Sequence, residues 1–213
     1  MADAWRSLDP AALRERFDNF MPLVRAEAVG LTQPQLDWAS DHWSWSTWSI
    51  RRQLTHMTAV GYGWLCTRWG AQLYPTDLPK AFVVLDSMKP QDRLAFYSSI
   101  DAAALLAQLD HSVRLAHDLL HREPPASFRE RTLTLRTESL WSGIEQGNAT
   151  GIEREQPGML RITLETTLRH MYFELVTHLY NIVRLKHAQG LGTTIAIPRE
   201  GYWLLPDWDR SEP

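Results

Sequence analysis

Leu164, Leu168, Met171, Leu175, Ile182 and Leu185 recur three, four or seven residues apart in a stretch that runs from about Leu160 to about Gln189, with Gly190 as its stop. Side chains at that period share one face only if the backbone coils as an α-helix, so the pattern fixes the longest element of the fold. Three more stretches repeat it. Pro10 to Ala28 carries Leu13, Phe17, Phe20 and Val24, with Asp9 placed to cap it, Pro10 at its first position and Gly30 closing it. A second helix is expected from about Ser46 or Thr47 to about Gln72, on a stripe of Ile50, Leu54, Met57, Gly61, Trp64 and Leu65. A third is expected from a cap at Ser99 to about His121, before Pro124-Pro125. Long amphipathic helices without regular βα alternation predict an all-α fold, an up-and-down four-helix bundle with irregular insertions.

The segments between the helices are less regular. Residues 31–46 read as a polar and aromatic connection, and Ala81 to Tyr97 as either a short strand at Phe82-Val-Val-Leu85 or an apolar turn. Within 126–158, Arg131 to Arg136 alternates like a strand, while Gly143, Gly147, Gly151 and Gly158 mark loops. Residues 1–190 are read as the bundle domain. Residues 191–213 are read as an extended tail whose Tyr202-Trp203-Leu204-Leu205 docks on the bundle or on a partner subunit.

Composition narrows the function classes. A formal charge of −3 and an isoelectric point near 6.2 give no electrostatic case for nucleic acid. No stretch approaches the roughly 18 consecutive apolar residues of a membrane helix. The single Cys66 suits a reducing cytoplasm and, beside Trp64 and Leu65, reads as a small buried hydrophobe. Trp43, Trp45 and Trp48 crowd one short segment and are expected to cap one end of the helical core. The chain has no glycine-rich phosphate loop, dinucleotide fingerprint, nucleophile elbow or Cys-x-x-Cys pair, which removes support for phosphoryl transfer, dinucleotide and hydrolase chemistry.

Two histidine pairs remain. Glu174 and His178 stand four apart on the last helix, on one face and one turn apart. At about 100° per residue, His178 lies roughly 50° and Glu174 roughly 90° from the centre of that helix's apolar stripe, where a cleft would open, and His170 at roughly 130° should face solvent. His117 and His121 repeat the spacing on the third helix, at roughly 60° and 100°. They sit in its last turns, where imidazolium suits the helix dipole. From spacing alone an ordinary ion pair on the helix flank is the simpler account of Glu174 and His178. By pattern His56 would be a surface histidine.

Trp48-Ser49-Ile50 followed by Leu54-Thr55-His56-Met57 resembles the second-helix signature of the DinB/YfiT-like metalloenzymes, and Glu174-Leu-Val-Thr-His178-Leu-Tyr-Asn181 resembles their last-helix signature. The family's usual last-helix pattern is His-x-x-x-His followed by Gln. Glu174 departs from it in the manner of the mycothiol-dependent maleylpyruvate isomerase branch, and Asn181 replaces the Gln. The resemblance covers residues 45–70 and 165–190. It implies a homodimeric cytoplasmic bundle binding one divalent ion (Zn²⁺, Ni²⁺ or Fe²⁺) through His56, Glu174 and His178. It further implies a small-molecule substrate and a low-molecular-weight thiol cosubstrate, in a thiol-dependent transferase or isomerase. The alternative is a non-catalytic, stress-related metal- or ligand-binding bundle or dimeric scaffold.

Overall fold

Each long helix begins on a side chain that accepts a hydrogen bond from its own first turn, which satisfies a backbone N–H that the helix cannot. The computed structural model describes residues 4–213 apart from 90, 91, 93–95, 98, 140 and 141. Asp9 accepts from Ala12 N at 2.8 Å to open α1 (Pro10–Ala28), and Ser49 from Arg52 N at 3.3 Å to open α2 (Ile50–Tyr62). Asp101 accepts from Ala104 N at 2.8 Å to open α3 (Ala102–Arg122), and Thr163 from Thr166 N at 3.1 Å to open α4 (Leu164–Ala188). Two expected starts, at Ser46 or Thr47 and at the cap Ser99, come too early. Ser46 lies inside a 3₁₀ turn, Ser44–Thr47, and accepts from Trp43 N, while Ser99 stands two residues before Asp101, which supplies the cap of α3.

Three boundaries differ from the expectation. α2 ends at Tyr62 and continues as a π-helix, Gly63–Arg68, before a short helix Gly70–Leu73. Lys80–Asp86 is a short helix rather than a strand, burying Phe82 and Leu85 and leaving Val83 and Val84 exposed. The rest of the 81–97 reading falls partly on 90, 91 and 93–95, outside the described residues. The fold is mostly helical rather than all-α, because 132–163 contains a sheet. Its strands β1 (Thr132–Arg136), β2 (Ile152–Gln156) and β3 (Met159–Thr163) are antiparallel in the order β1-β3-β2, with Leu133 opposite Ile162 and Ile152 opposite Ile162. Leu160 therefore belongs to β3 and not to the last helix. Leu160, Ile162 and Leu164 satisfy the strand period, whereas Leu160 and Leu164 alone also satisfy the helical one.

α3 packs against α1 and α2, and α4 packs against the same two helices. Gly61 permits the close α2–α3 approach: a Cβ there would lie 2.0 Å from Ser112 Oγ, which donates to Thr58 O at 3.1 Å. Between Leu164 and Lys186 every residue of α4 is buried except Glu174. A helix covered on all sides is the centre of a fold, and its one less buried position marks where the packing opens. Among the described residues no helix is long and apolar enough to cross a membrane.

The tail lies along α4 and the Trp-rich segment. Gly201, at φ +95°, turns it inward so that Tyr202 is fully buried; a Cβ at Gly201 would stand 3.1 Å from the Phe173 carbonyl oxygen. Arg184 donates to the carbonyls of Asp209 and Ser211, and Trp45 Nε1 to Ser211 Oγ. At the tail's start, Glu27 receives Lys186 Nζ and the backbone N–H groups of Thr194 and Ile195.

Candidate metal centre

α2 and α4 touch where Glu174 leaves its gap, and His56, Glu174 and His178 meet there with one potential ligand atom each, all within 4.8 Å of one another. Glu174 Oε2 lies 3.3 Å from His178 Nε2 and 3.5 Å from His56 Nε2. A tetrahedral ion about 2.0–2.1 Å from its ligands sets those ligand atoms about 3.3–3.4 Å apart, close to the two edges that Glu174 makes here.

Protons on the imidazoles complete the fit. His178 Nδ1 donates to Gln53 Oε1, which orients the ring and turns Nε2 towards Glu174. Burial pulls the His178 pKa down against the opposing pull of Glu174, so the ring is neutral. Burial pushes the Glu174 carboxyl up, but hydrogen bonding with His178 and then His56 outweighs it and holds the group well below the ordinary carboxylate range. Glu174 Oε2 and His178 Nε2 thus face each other 3.3 Å apart, where a cation held by both would lie between them. Trp48 supports the rings, stacking on His178 at 6.0 Å and meeting His56 edge-on at 5.3 Å.

The cluster opens into a cavity of about 620 Å³ whose walls include Trp64, His170, Tyr202 and Trp208. A smaller hollow of about 320 Å³ adjoins it at Trp48 and His178, towards Asn181 and Arg184. His170 is buried in the wall, not solvent-facing as its helical angle suggested. Tyr202 and His170 Nδ1 are 2.6 Å apart. Burial, with the Glu174 charge adding to it, raises the Tyr202 pKa far above its ordinary value, so its hydroxyl keeps its proton. Burial also lowers the His170 pKa to about 4, leaving a neutral ring. Cys66 is buried and its thiol is pushed up to about 12 by desolvation, which suits a core residue and not a nucleophile.

Gln53, His170 and Tyr202 were not legible as site residues from the sequence. Gln53 left one usable signal, a polar side chain three residues after Ile50 on the apolar stripe of the second helix. The rival pair gathers a third partner too. His117 and His121 both place Nε2 near Asp18 Oδ1 on α1, at 3.1 and 3.2 Å, in solvent. Comparison with protein-family models, curated proteins and solved structures gives no match, so the DinB-like resemblance rests on its motifs alone.

Proposed function

We propose that the chain is a divalent-metal-dependent enzyme of DinB-like architecture, an up-and-down four-helix bundle in which His56, Glu174 and His178 hold one ion facing the cavity. The observation that carries this reading is the convergence of the three ligand atoms at coordination spacing, with Gln53 taking the Nδ1 proton of His178. The packing of α3 and of α4, each against both α1 and α2, supports the bundle part of the proposal. A bound Zn²⁺, Ni²⁺ or Fe²⁺ would act as a Lewis acid that lowers the pKa of a small thiol or of water. The protein's own part is to orient and to exclude. Gln53 and Trp48 hold the two imidazoles in place, while Trp64 and Trp208 give the substrate an apolar wall. The neutral His170, held by Tyr202, offers an N–H donor to a developing negative charge. Thiol transfer to, or thiol-assisted isomerisation of, a small electrophile is the favoured reaction class.

The test is turnover of 1-chloro-2,4-dinitrobenzene or a similar electrophile with a panel of small thiols, on protein of known metal content. Thiol- and metal-dependent turnover that Glu174→Ala abolishes without a large loss of thermal stability is the expected result. Stoichiometric metal without turnover across a broad panel would favour a non-catalytic metal-binding bundle, and absence of bound metal would overturn both.

A further inference from the structure

Arg68 is the one arginine among the described residues that is neither exposed nor matched by an acceptor. The more deeply buried arginines each have oxygen acceptors: Arg51 has Asp37 and the Ile100 carbonyl, Arg169 has Glu165, and Arg184 has Asn181 and two tail carbonyls, with only its Nε unpartnered. Arg68 has only the Trp64 ring, with the guanidinium carbon 4.4 Å from the ring centroid. That contact leaves its fork of N–H donors without an acceptor. Both residues line the same cavity as His56, Glu174 and His178. Glu174 does not match Arg68, because its partners are the two imidazoles.

The backbone is built to put Arg68 there. Gly63–Arg68 is a π-helical segment, closed by Trp69 N donating to Trp64 O five residues back. Such segments are rare and occur mostly at functional sites. Here the widened turn sets Trp64 and Arg68 side by side on the cavity wall. Arg68 is half-buried, and burial without a compensating carboxylate lowers its pKa while its unpartnered nitrogens stay open to the cavity.

We infer that Arg68 and Trp64 form an anion subsite, which takes the carboxylate of a small organic substrate whose flat apolar body lies against the tryptophans of the metal-facing cavity. A guanidinium fork matches a carboxylate edge to edge with two parallel hydrogen bonds, while indole surfaces take a planar body. The inference rests on the proposed metal centre for its catalytic meaning, although the subsite itself needs no metal. A carboxylate on Arg68 keeps one end of the substrate away from the ion and leaves the other end to react.

The test is calorimetric titration of wild type with benzoate, benzamide and inorganic phosphate, before and after chelator treatment, alongside Arg68→Gln and Arg68→Lys. Benzoate should bind wild type at least about tenfold more tightly than benzamide or phosphate, and that preference should survive metal removal. Arg68→Gln should erase the preference for benzoate over benzamide and leave benzamide binding unchanged. Arg68→Lys should restore part of it. Removing an unmatched cation should also leave Arg68→Gln melting no lower than wild type.

Equal binding of benzoate and benzamide, or no saturable benzoate binding at all, would overturn the subsite. So would phosphate binding as tight as benzoate, or an Arg68→Gln protein that melts far below wild type. A preference that vanishes with the metal and persists in Arg68→Gln would place the carboxylate on the ion, sinking the subsite while sparing the metal centre. A preference that depends on Arg68 in a protein that holds no metal would do the reverse.

Discussion

The inner cluster of His56, Glu174 and His178 and the outer cluster of Asp18, His117 and His121 share one plan. Each takes two side chains four residues apart on one helix and a third from a neighbouring helix, and each brings its ligand atoms within 4.8 Å. In each, one imidazole also donates its Nδ1–H to an outer oxygen, His178 to Gln53 Oε1 and His117 to Asp118 Oδ1. Their surroundings differ. Side-chain exposure is 37, 15 and 11% for His56, Glu174 and His178, but 39, 37 and 43% for Asp18, His117 and His121. The inner cluster has indole walls and a cavity beside it. The outer one meets bulk water, where charge pairs are screened and side-chain order is costly. Spacing brings ligands together, and enclosure decides whether they hold an ion tightly enough to do chemistry on it.

The largest effect should come from exchanging the damage between clusters. His178→Ala should weaken the tightest metal binding by at least about 100-fold, because it removes a ligand and opens the site. A double His117→Ala, His121→Ala variant should keep that binding and lose only weak uptake at high metal concentration. Metal titration against a competing chelator reads both, and the opposite pattern would break the comparison.

Burial should next appear in acid stability. His170 is depressed from 6.5 to about 4, so the folded protein binds fewer protons than the unfolded chain between those values. The stability that this difference represents is fully present above about pH 6.5, is lost as the pH falls towards 4, and amounts to about 3 kcal/mol. His178 is lowered in the same sense, and Glu174, also lowered, extends the loss to more acid pH. Urea unfolding of the metal-free protein from pH 7 to pH 4 should show this slope, and His170→Gln should flatten it.

The smallest of the three effects concerns the supporting hydrogen bond. Gln53→Leu should lower metal affinity about 10- to 100-fold with the ligands intact, as loss of outer-shell partners does elsewhere. An unchanged affinity would mean that Gln53 does not orient the His178 ring.

Much of this fold could be read from residue pattern. Asp9 and Pro10 announced the start of α1, and the helical stripes located all four long helices. Legibility failed where one residue had two local options. Ser46 and Ser99 look like helix starts, but Ser49 and Asp101 a few residues on carry the caps, and Leu160 fits both strand and helix. In the site, the spacing of Glu174 and His178 was visible, but His170 was assigned to solvent from its angle to one apolar stripe. That method assumes a helix with one buried face, whereas α4 is covered all round. Tyr202, which holds His170, comes from the tail and has no local signal at all. Arg68 was invisible for a different reason: the π-helical turn that aims it has no sequence signature of its own.

The central claim is that these three residues hold the ion, and anomalous scattering at the zinc edge tests it most directly, on crystals grown with one equivalent of Zn²⁺. The account predicts one strong peak about 2.0–2.2 Å from His56 Nε2, Glu174 Oε2 and His178 Nε2. A peak among Asp18, His117 and His121, or no peak at either cluster, would contradict it.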